Sequence, residues 1–258
     1  MEYKNTLYEK ADGIATITIN RPQVLNALNP ETVQEISARL DDAMKDENVH
    51  VIVITGTGDR AFSAGADLNI MKDITASKAR EFSKAGQEVF EKVETLDKPV
   101  IAAINGFALG GGLELAMACD LRIVSENAKM GQPEINVGLI PGWGGTQRLP
   151  RYVGKAIAKE LIFTGKMIDA KTAERYGLLN AVVPPDQLKT AVTAMAKELM
   201  KKPRLGIKLA KELINSSTET NLRTGMAHEA ESFGVISQTE DFKEGVKTFI
   251  ETKKPKYA

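Results

Sequence analysis

The sequence predicts an α/β fold that ends in helices. Three observations carry this: a strand, helix, strand order near the N-terminus, buried strands that run into glycine-rich loops, and helical spacing in the last third.

Residues Gly13 to Asn20 alternate as a strand does, with Ile14, Ile17 and Ile19 among Ala and Thr, until Asn20-Arg21-Pro22 ends the pairing. A loop spans Gln23 to Leu28. Asn29-Pro30 reads as a helix N-cap and first turn, and Val33, Ile36, Leu40 and Met44 give an apolar stripe to about Lys45. Val51 to Ile54 is a continuous β-branched run, which fits a strand buried on both faces. In Ala61-Phe62-Ser63-Ala64-Gly65-Ala66, Gly65 sits among small residues and leaves the backbone at Ala66 open to a ligand or to a solvated turn. Ala79, Phe82, Val89, Val93 and Leu96 mark a helix from about Ala76 to Leu96, and Val100 to Ile104 is the next buried strand.

That strand delivers the chain to Gly110-Gly111-Gly112, followed by Glu114 and the apolar run Leu115 to Cys119, which predicts a short buried helix. Leu121 to Val124 reads as a strand, and helix is expected from about Lys155. Leu188, Val192, Met195 and Leu199 keep helical spacing, Pro203 separates a further helix through Ile207 and Leu213, and Phe242, Val246 and Phe249 mark a last one. The division expected is a core of residues 1–187 and a helical region of 188–258 that covers the core or joins subunits.

Composition narrows the function. Lys+Arg and Asp+Glu balance at 34 each, so net charge gives no reason to expect a nucleic-acid surface or a polybasic membrane contact. The single cysteine, Cys119, excludes an internal disulfide and reads as a small core residue. The N-terminus lacks a secretory pattern and no apolar run approaches the ~18 residues of a membrane span, so a cytoplasmic location is expected. His50 and His228 lie in polar contexts and are not expected to act as bases.

Chemistry is concentrated between Asn105 and Gln147. Glu114 stands beside bare glycine amides at a helix start, and Glu134 follows Pro133 in a segment expected to be loop. The plain alternatives are a carboxylate that complements a helix dipole and an ordinary solvated residue. Against these stands the apolar, glycine-rich setting, which offers either carboxylate little water. An acid/base pair beside an anion-stabilising helix N-terminus is the reading that uses both.

With those segments in view, the chain resembles the crotonase (enoyl-CoA hydratase/isomerase) superfamily over nearly its whole length. The matching stretches are NRPQVLNAL from Asn20, AFSAGADL from Ala61, PVIAAINGFALGGGLELAMACD from Pro99, GQPEINVGLIPGWGGTQRL from Gly131, LIFTGKMIDAKTAERYGLLNAVVP from Leu161 and EGVKTFIETKK from Glu244. Several motifs in order make the signal specific.

The resemblance implies an α/β crotonase (ClpP-like) spiral of ββα units with a C-terminal helical trimerisation region, assembled as homotrimer or hexamer. It implies an acyl-CoA thioester substrate, with no nucleic-acid or membrane partner. Coenzyme A would be part of that substrate, and no metal or separate cofactor is required. By motif position, the amides of Ala66 and Gly111 form the oxyanion hole and Glu114 and Glu134 are catalytic. Asp67, Leu68, Asn69, Gln132, Gly142 and Phe249 have supporting roles: Gly142 through an amide holding Glu134, Gln132 by orienting the pair, and Phe249 by facing the CoA moiety.

Two glutamates favour the hydratase branch, acting on crotonyl-CoA/3-hydroxybutyryl-CoA or on 3-hydroxypropionyl-CoA. The rivals are a Δ3-Δ2 enoyl-CoA isomerase that uses Glu134 alone and a non-catalytic acyl-CoA or RNA-binding homologue. The chain also departs from the pattern. Gln23 replaces a common lysine, Thr252 stands where some members carry lysine, with Lys253 and Lys254 adjacent, and Trp143 is large for a position often held by alanine or another aromatic. A Trp143 facing the pocket would shorten the acyl tunnel; a core position is the other reading.

Overall fold

The computed structural model describes residues 3–253 of the 258. The chain opens with an antiparallel pair, β1 (Thr6–Ala11) and β2 (Ile14–Ile19), and then α1 (Pro30–Lys45). Asn29 starts α1 as expected, its side chain accepting the Thr32 amide while Pro30 fills the first helical position.

From here one plan repeats: a strand, a shorter strand and a helix. The first repeat is β3 (Val51–Gly56), β4 (Ala61–Ser63) and α2 (Ala76–Thr95). The second is β5 (Val100–Ile104), β6 (Phe107–Leu109) and α3 (Gly111–Ala118). In the third, β7 (Leu121–Ser125) and β8 (Lys129–Gly131) lead through a 3-10 segment to α4 (Gly145–Thr164). Then β9 (Met167–Asp169), α5 (Ala170–Arg175) and β10 (Ala181–Val183) close the sheets.

The longer strands form one sheet in the order β1-β2-β3-β5-β7-β10 and the shorter ones a second in the order β4-β6-β8-β9. Only β1–β2 and β8–β9 run antiparallel. Parallel neighbours require a crossover: α1 alone connects β2 to β3, and a short strand plus a helix connects β3 to β5 and β5 to β7, so the chain winds as a spiral. The four helices that follow are α6 (Leu188–Met200), α7 (Arg204–Ser216), α8 (Leu222–Ile236) and α9 (Glu240–Thr252).

The β3 run is buried on both faces, as its composition predicts. Ile52 and Ile54 join the main core, whereas Val51 and Val53 pack with Ile101 and Ile123 beneath Leu188, Val192 and Ala196 of α6. Beyond α6 burial falls away: α7 buries Lys211, α9 buries Gly245, and α8 buries none of its residues. Lys211 links α7 to the core by pairing with Asp120 at 2.8 Å, where Asp120 also accepts the Val100 amide. Among the described residues no helix is long and apolar enough to cross a membrane.

Two expectations need correction. Helix begins at Gly145, ten positions before Lys155, because α4 consists of two helical stretches joined at Gly154, whose φ of +76° breaks the run. Pro150 lies inside the first stretch and masks its periodicity. Glu134 lies in a 3-10 turn, Pro133–Val137, rather than in plain loop; the turn closes where Gly138 adopts a left-handed φ of +74°.

Candidate active site

The N-terminus of α3 and the loop after β4 meet at their glycines. Gly110 precedes α3 with φ +51°, and its own N–H is tied to the Gly131 carbonyl at 2.9 Å. Gly111 is the first residue of α3, so its N–H has no carbonyl of the same helix to bond. Ala66 forms a parallel bridge with Leu28, in which Leu28 donates to the Gly65 carbonyl at 2.8 Å and accepts the Asp67 amide at 2.9 Å. This pairing turns the N–H of Ala66 itself away from Leu28.

The two amides are neighbours. A Cβ on Gly111 would sit 3.4 Å from the Ala66 nitrogen, and one on Gly65 would sit 3.2 Å from the Gly111 nitrogen. Among the described residues neither N–H donates to a protein acceptor. Two fixed, adjacent, free donors make a site for a developing oxyanion.

Glu114 lies one turn into α3 and is 2% exposed. Its Oε1 accepts the Trp143 amide at 2.8 Å and the Gly145 amide at 2.6 Å. Burial raises its pKa, and these two amides work against that rise. Glu134 approaches from the opposite segment, with Oε1 3.0 Å from where a Cβ on Gly110 would be. Its pKa is pushed up to about 7 by burial, with the nearby Glu114 charge adding to the effect.

Gln132 is fully buried between the two glutamates' supports. With its amide oriented to satisfy both terminal atoms, it donates to Glu134 Oε1 at 2.8 Å and Oε2 at 3.2 Å, and it packs against Gly145. The site therefore holds two carboxylates in unlike surroundings, one pinned by backbone amides and the other poised to titrate near neutrality.

A family model described as enoyl-CoA hydratase/isomerase matches residues 9–258. The chain belongs to the enoyl-CoA hydratase/isomerase family. It is 46% identical over 257 residues to a crotonyl-CoA hydratase of Syntrophomonas wolfei, covering 100% of this chain and 99% of that one. It is 45% identical over 254 residues to a short-chain-enoyl-CoA hydratase of Clostridium acetobutylicum, covering 98% and 97% respectively. A crystal structure of an enoyl-CoA hydratase from Bacillus anthracis superposes with a TM-score of 0.92 at 38% identity, covering 98% of this chain and 99% of that one.

Within this enoyl-CoA hydratase/isomerase family member, the structure brings Ala66, Gly111, Glu114, Gln132 and Glu134 together. It corrects Gly142. Among the described residues the Gly142 amide makes no hydrogen bond to Glu134; its carbonyl accepts from Ser83 at 2.6 Å and Gln87 at 2.9 Å. The amides that hold a carboxylate are the next residue and the third on, and the carboxylate is Glu114. Backbone donors carry no side-chain signature, so only the dense glycines of Pro141-Gly142-Trp143-Gly144-Gly145 pointed to this turn.

Asp67 is buried and faces protein: it pairs with Arg21 at 3.0 Å and accepts the Asn69 amide at 3.2 Å. Burial works to raise its pKa, but Arg21 and Asn69 outweigh it and hold the carboxyl low. Arg21 also donates to the Ala27 carbonyl at 2.6 Å, so it fastens the 21–28 loop to the loop bearing Ala66. Sequence reasoning assigned Arg21 no role; its separation of 46 positions from Asp67 hides the pair.

Leu68 and Asn69 are exposed beside the site. Phe249 is on α9, 51% exposed and outside the core clusters. Gln23 is exposed in a single 3-10 turn, Pro22–Val24. Thr252 ends α9, Lys253 caps it with φ +57°, and Lys254 lies outside the described residues.

Proposed function

We propose that the chain catalyses reversible syn hydration of trans-2-enoyl-CoA to 3-hydroxyacyl-CoA, and in reverse acts as a 3-hydroxyacyl-CoA dehydratase, on short acyl chains such as crotonyl-CoA. The observation that carries this reading is the pair of unlike buried carboxylates, Glu114 and Glu134, beside the adjacent free amides of Ala66 and Gly111. Names of the relatives, crotonyl-CoA hydratase and short-chain-enoyl-CoA hydratase, support the substrate class.

In this reading the thioester oxygen sits between the Ala66 and Gly111 N–H groups. Glu114, its Oε1 occupied by two amides, offers Oε2 to a water, and the glutamates together hold that water against C3. As the C3–O bond forms, the double-bond electrons move onto the thioester oxygen as an enolate, and the water's spare proton passes to the carboxylate pair. Glu134, protonated over much of its population near neutrality, delivers a proton to C2 and the enolate collapses. The net addition is OH at C3 and H at C2. Such acid/base steps contribute ~10²–10⁴-fold and one oxyanion donor ~10²–10³-fold.

Assembly is part of the proposal. Leu222, Met226, Phe233, Phe249 and Ile250 on α8 and α9 are each more than half exposed, which supports a homotrimer or dimer of trimers built on the helices beyond residue 187. A cytoplasmic location is supported by the single buried Cys119. The experiment for the reaction class is turnover by Glu114→Gln on two substrates. A hydratase loses hydration of crotonyl-CoA, whereas an isomerase relying on Glu134 alone keeps conversion of a 3-enoyl-CoA.

A further inference from the structure

One side chain separates the catalytic centre from a groove on the other side of the core. Trp143 is 2% exposed, and its ring edge lies 2.5 Å from where a Cβ on Gly111 would be, so the indole rests directly on the residue that supplies an oxyanion amide. Its other face is seated on Gly86 of α2, where a Cβ would overlap the indole nitrogen. Nε1 donates to the Phe82 carbonyl at 3.3 Å, and the rings of Phe82 and Phe90 lie 5.0 and 5.4 Å away.

Behind the indole, between α1 and α2, is a cavity of about 360 Å³. Val33, Ala38, Phe82, Ala85 and Val89 give it apolar walls, Asp41 and Glu88 line it as well, and Trp143, whose ring also abuts Gly111, is the wall nearest the catalytic centre. The direction of an acyl chain follows from the fixed points. The thioester oxygen is placed by Ala66 and Gly111, and C3 must lie near Glu114, whose carboxylate is held by the amide of Trp143 itself. A chain extended past C3 therefore runs toward residue 143.

We infer that Trp143 is the specificity-determining residue for acyl length: its indole is the end wall of the acyl site, and the cavity between α1 and α2 is the channel it closes. This rests on the enoyl-CoA reading above. A side chain with free rotation could swing aside, but Trp143 is fixed by its hydrogen bond, by the two phenylalanine rings and by the absence of a side chain at Gly86. The sequence offered core and pocket as alternative positions for this tryptophan; the structure places it in the core, between Gly111 and the cavity.

The test is kcat/KM for 2-enoyl-CoA substrates of four, six, eight and twelve carbons, measured on wild type, Trp143→Ala and Trp143→Phe. The readout is the ratio of C8 to C4 within each protein, so a general loss of activity cancels. Wild type is expected to fall at least about tenfold from C4 to C8, the scale on which a pocket discriminates by a methylene or two. Trp143→Ala raises the ratio by about tenfold or more, and Trp143→Phe, which keeps the core filled if the alanine variant fails to fold, raises it severalfold. Ala38→Phe added to either variant refills the cavity and lowers the ratio again. A flat wild-type profile from C4 to C12, or an unchanged ratio in a folded Trp143→Phe protein, overturns the inference. Absence of any crotonyl-CoA hydration by wild type would instead refute the reaction assignment.

Discussion

Gly145, the first residue of α4, gives its amide N–H to Glu114 Oε1 across 2.6 Å and so ties the start of that helix to the first turn of α3. The same oxygen accepts the Trp143 amide, which leaves Glu114 immobile and its second oxygen directed by that anchoring. Two replacements therefore behave differently. Glu114→Gln keeps a carbonyl oxygen for both amides and is expected to fold with a melting temperature at or above wild type while hydration collapses. Glu114→Ala leaves two buried donors unpaired, at ~1–3 kcal/mol each, and is expected to melt well below wild type. Equal melting of the two variants would contradict this role for the amides.

The titration of Glu134 gives a pH dependence with a definite sign. Its pKa stands at about 7 against an ordinary 4.5, and the hydration direction needs the protonated form. The kcat/KM for hydration is expected to fall as pH rises through about 7, and kcat/KM for dehydration falls in parallel, because both directions start from a glutamate pair that carries one proton and the overall reaction takes up none. Because folding raises this pKa, the fold binds the proton more tightly than the unfolded chain does. The associated stability is present below about 4.5 and is lost as pH rises through about 7. Glu134→Gln escapes that loss, so its melting temperature should gain on wild type between pH 5 and pH 8.

Close backbone approach makes two neighbouring glycines fail in different ways. A Cβ on Gly112 would overlap the Ser63 carbonyl oxygen, so Gly112→Ala must push α3 off β4 and is expected to lose ~1–3 kcal/mol of stability. A Cβ on Gly110 would meet the Glu134 carboxylate at 3.0 Å and would also impose φ +51° on an L-residue. Gly110→Ala is therefore expected to lose kcat as well as stability. Chemical denaturation and steady-state kinetics on both variants separate the cases.

Arg21 and Asp67 form an ion pair whose side chains are 14% and 11% exposed. Removing Arg21 alone leaves Asp67 nearly buried and unpaired, a loss approaching the ~3 kcal/mol of a fully buried pair. Arg21→Gln is expected to lower both stability and kcat, since Ala66 shares the loop, and Asp67→Asn in the same protein should recover much of the stability. No recovery in the double variant would rule out the ion pair as the cause.

The long buried strands and the capped α1 and α2 were legible in the sequence because β-branched runs, Asn29-Pro30 and helical stripes are local signals. The strands β4, β6, β8 and β9 were not, since three residues are too few to show a period, and the spiral came only with the family resemblance. Glu114, Glu134 and the glycines around them stood out as polar or flexible residues in an apolar stretch. What holds them did not: the Trp143 and Gly145 amides are backbone groups, and Arg21 meets Asp67 only through tertiary structure. Gly142 was assigned an amide role toward Glu134; the amides of this turn that hold a carboxylate are those of Trp143 and Gly145, and they hold Glu114, a difference that motif position alone could not resolve.

The central claim is that Glu134, with Glu114, carries out hydration at the Ala66–Gly111 amides. The most direct measurement is the loss of conjugated enoyl-thioester absorbance on mixing the protein with crotonyl-CoA, with Glu134→Gln alongside. The account predicts rapid loss with formation of 3-hydroxybutyryl-CoA by wild type, and a rate lower by ~10²–10⁴ in a variant that remains folded. Comparable rates in the two proteins, or no turnover by wild type, would contradict it.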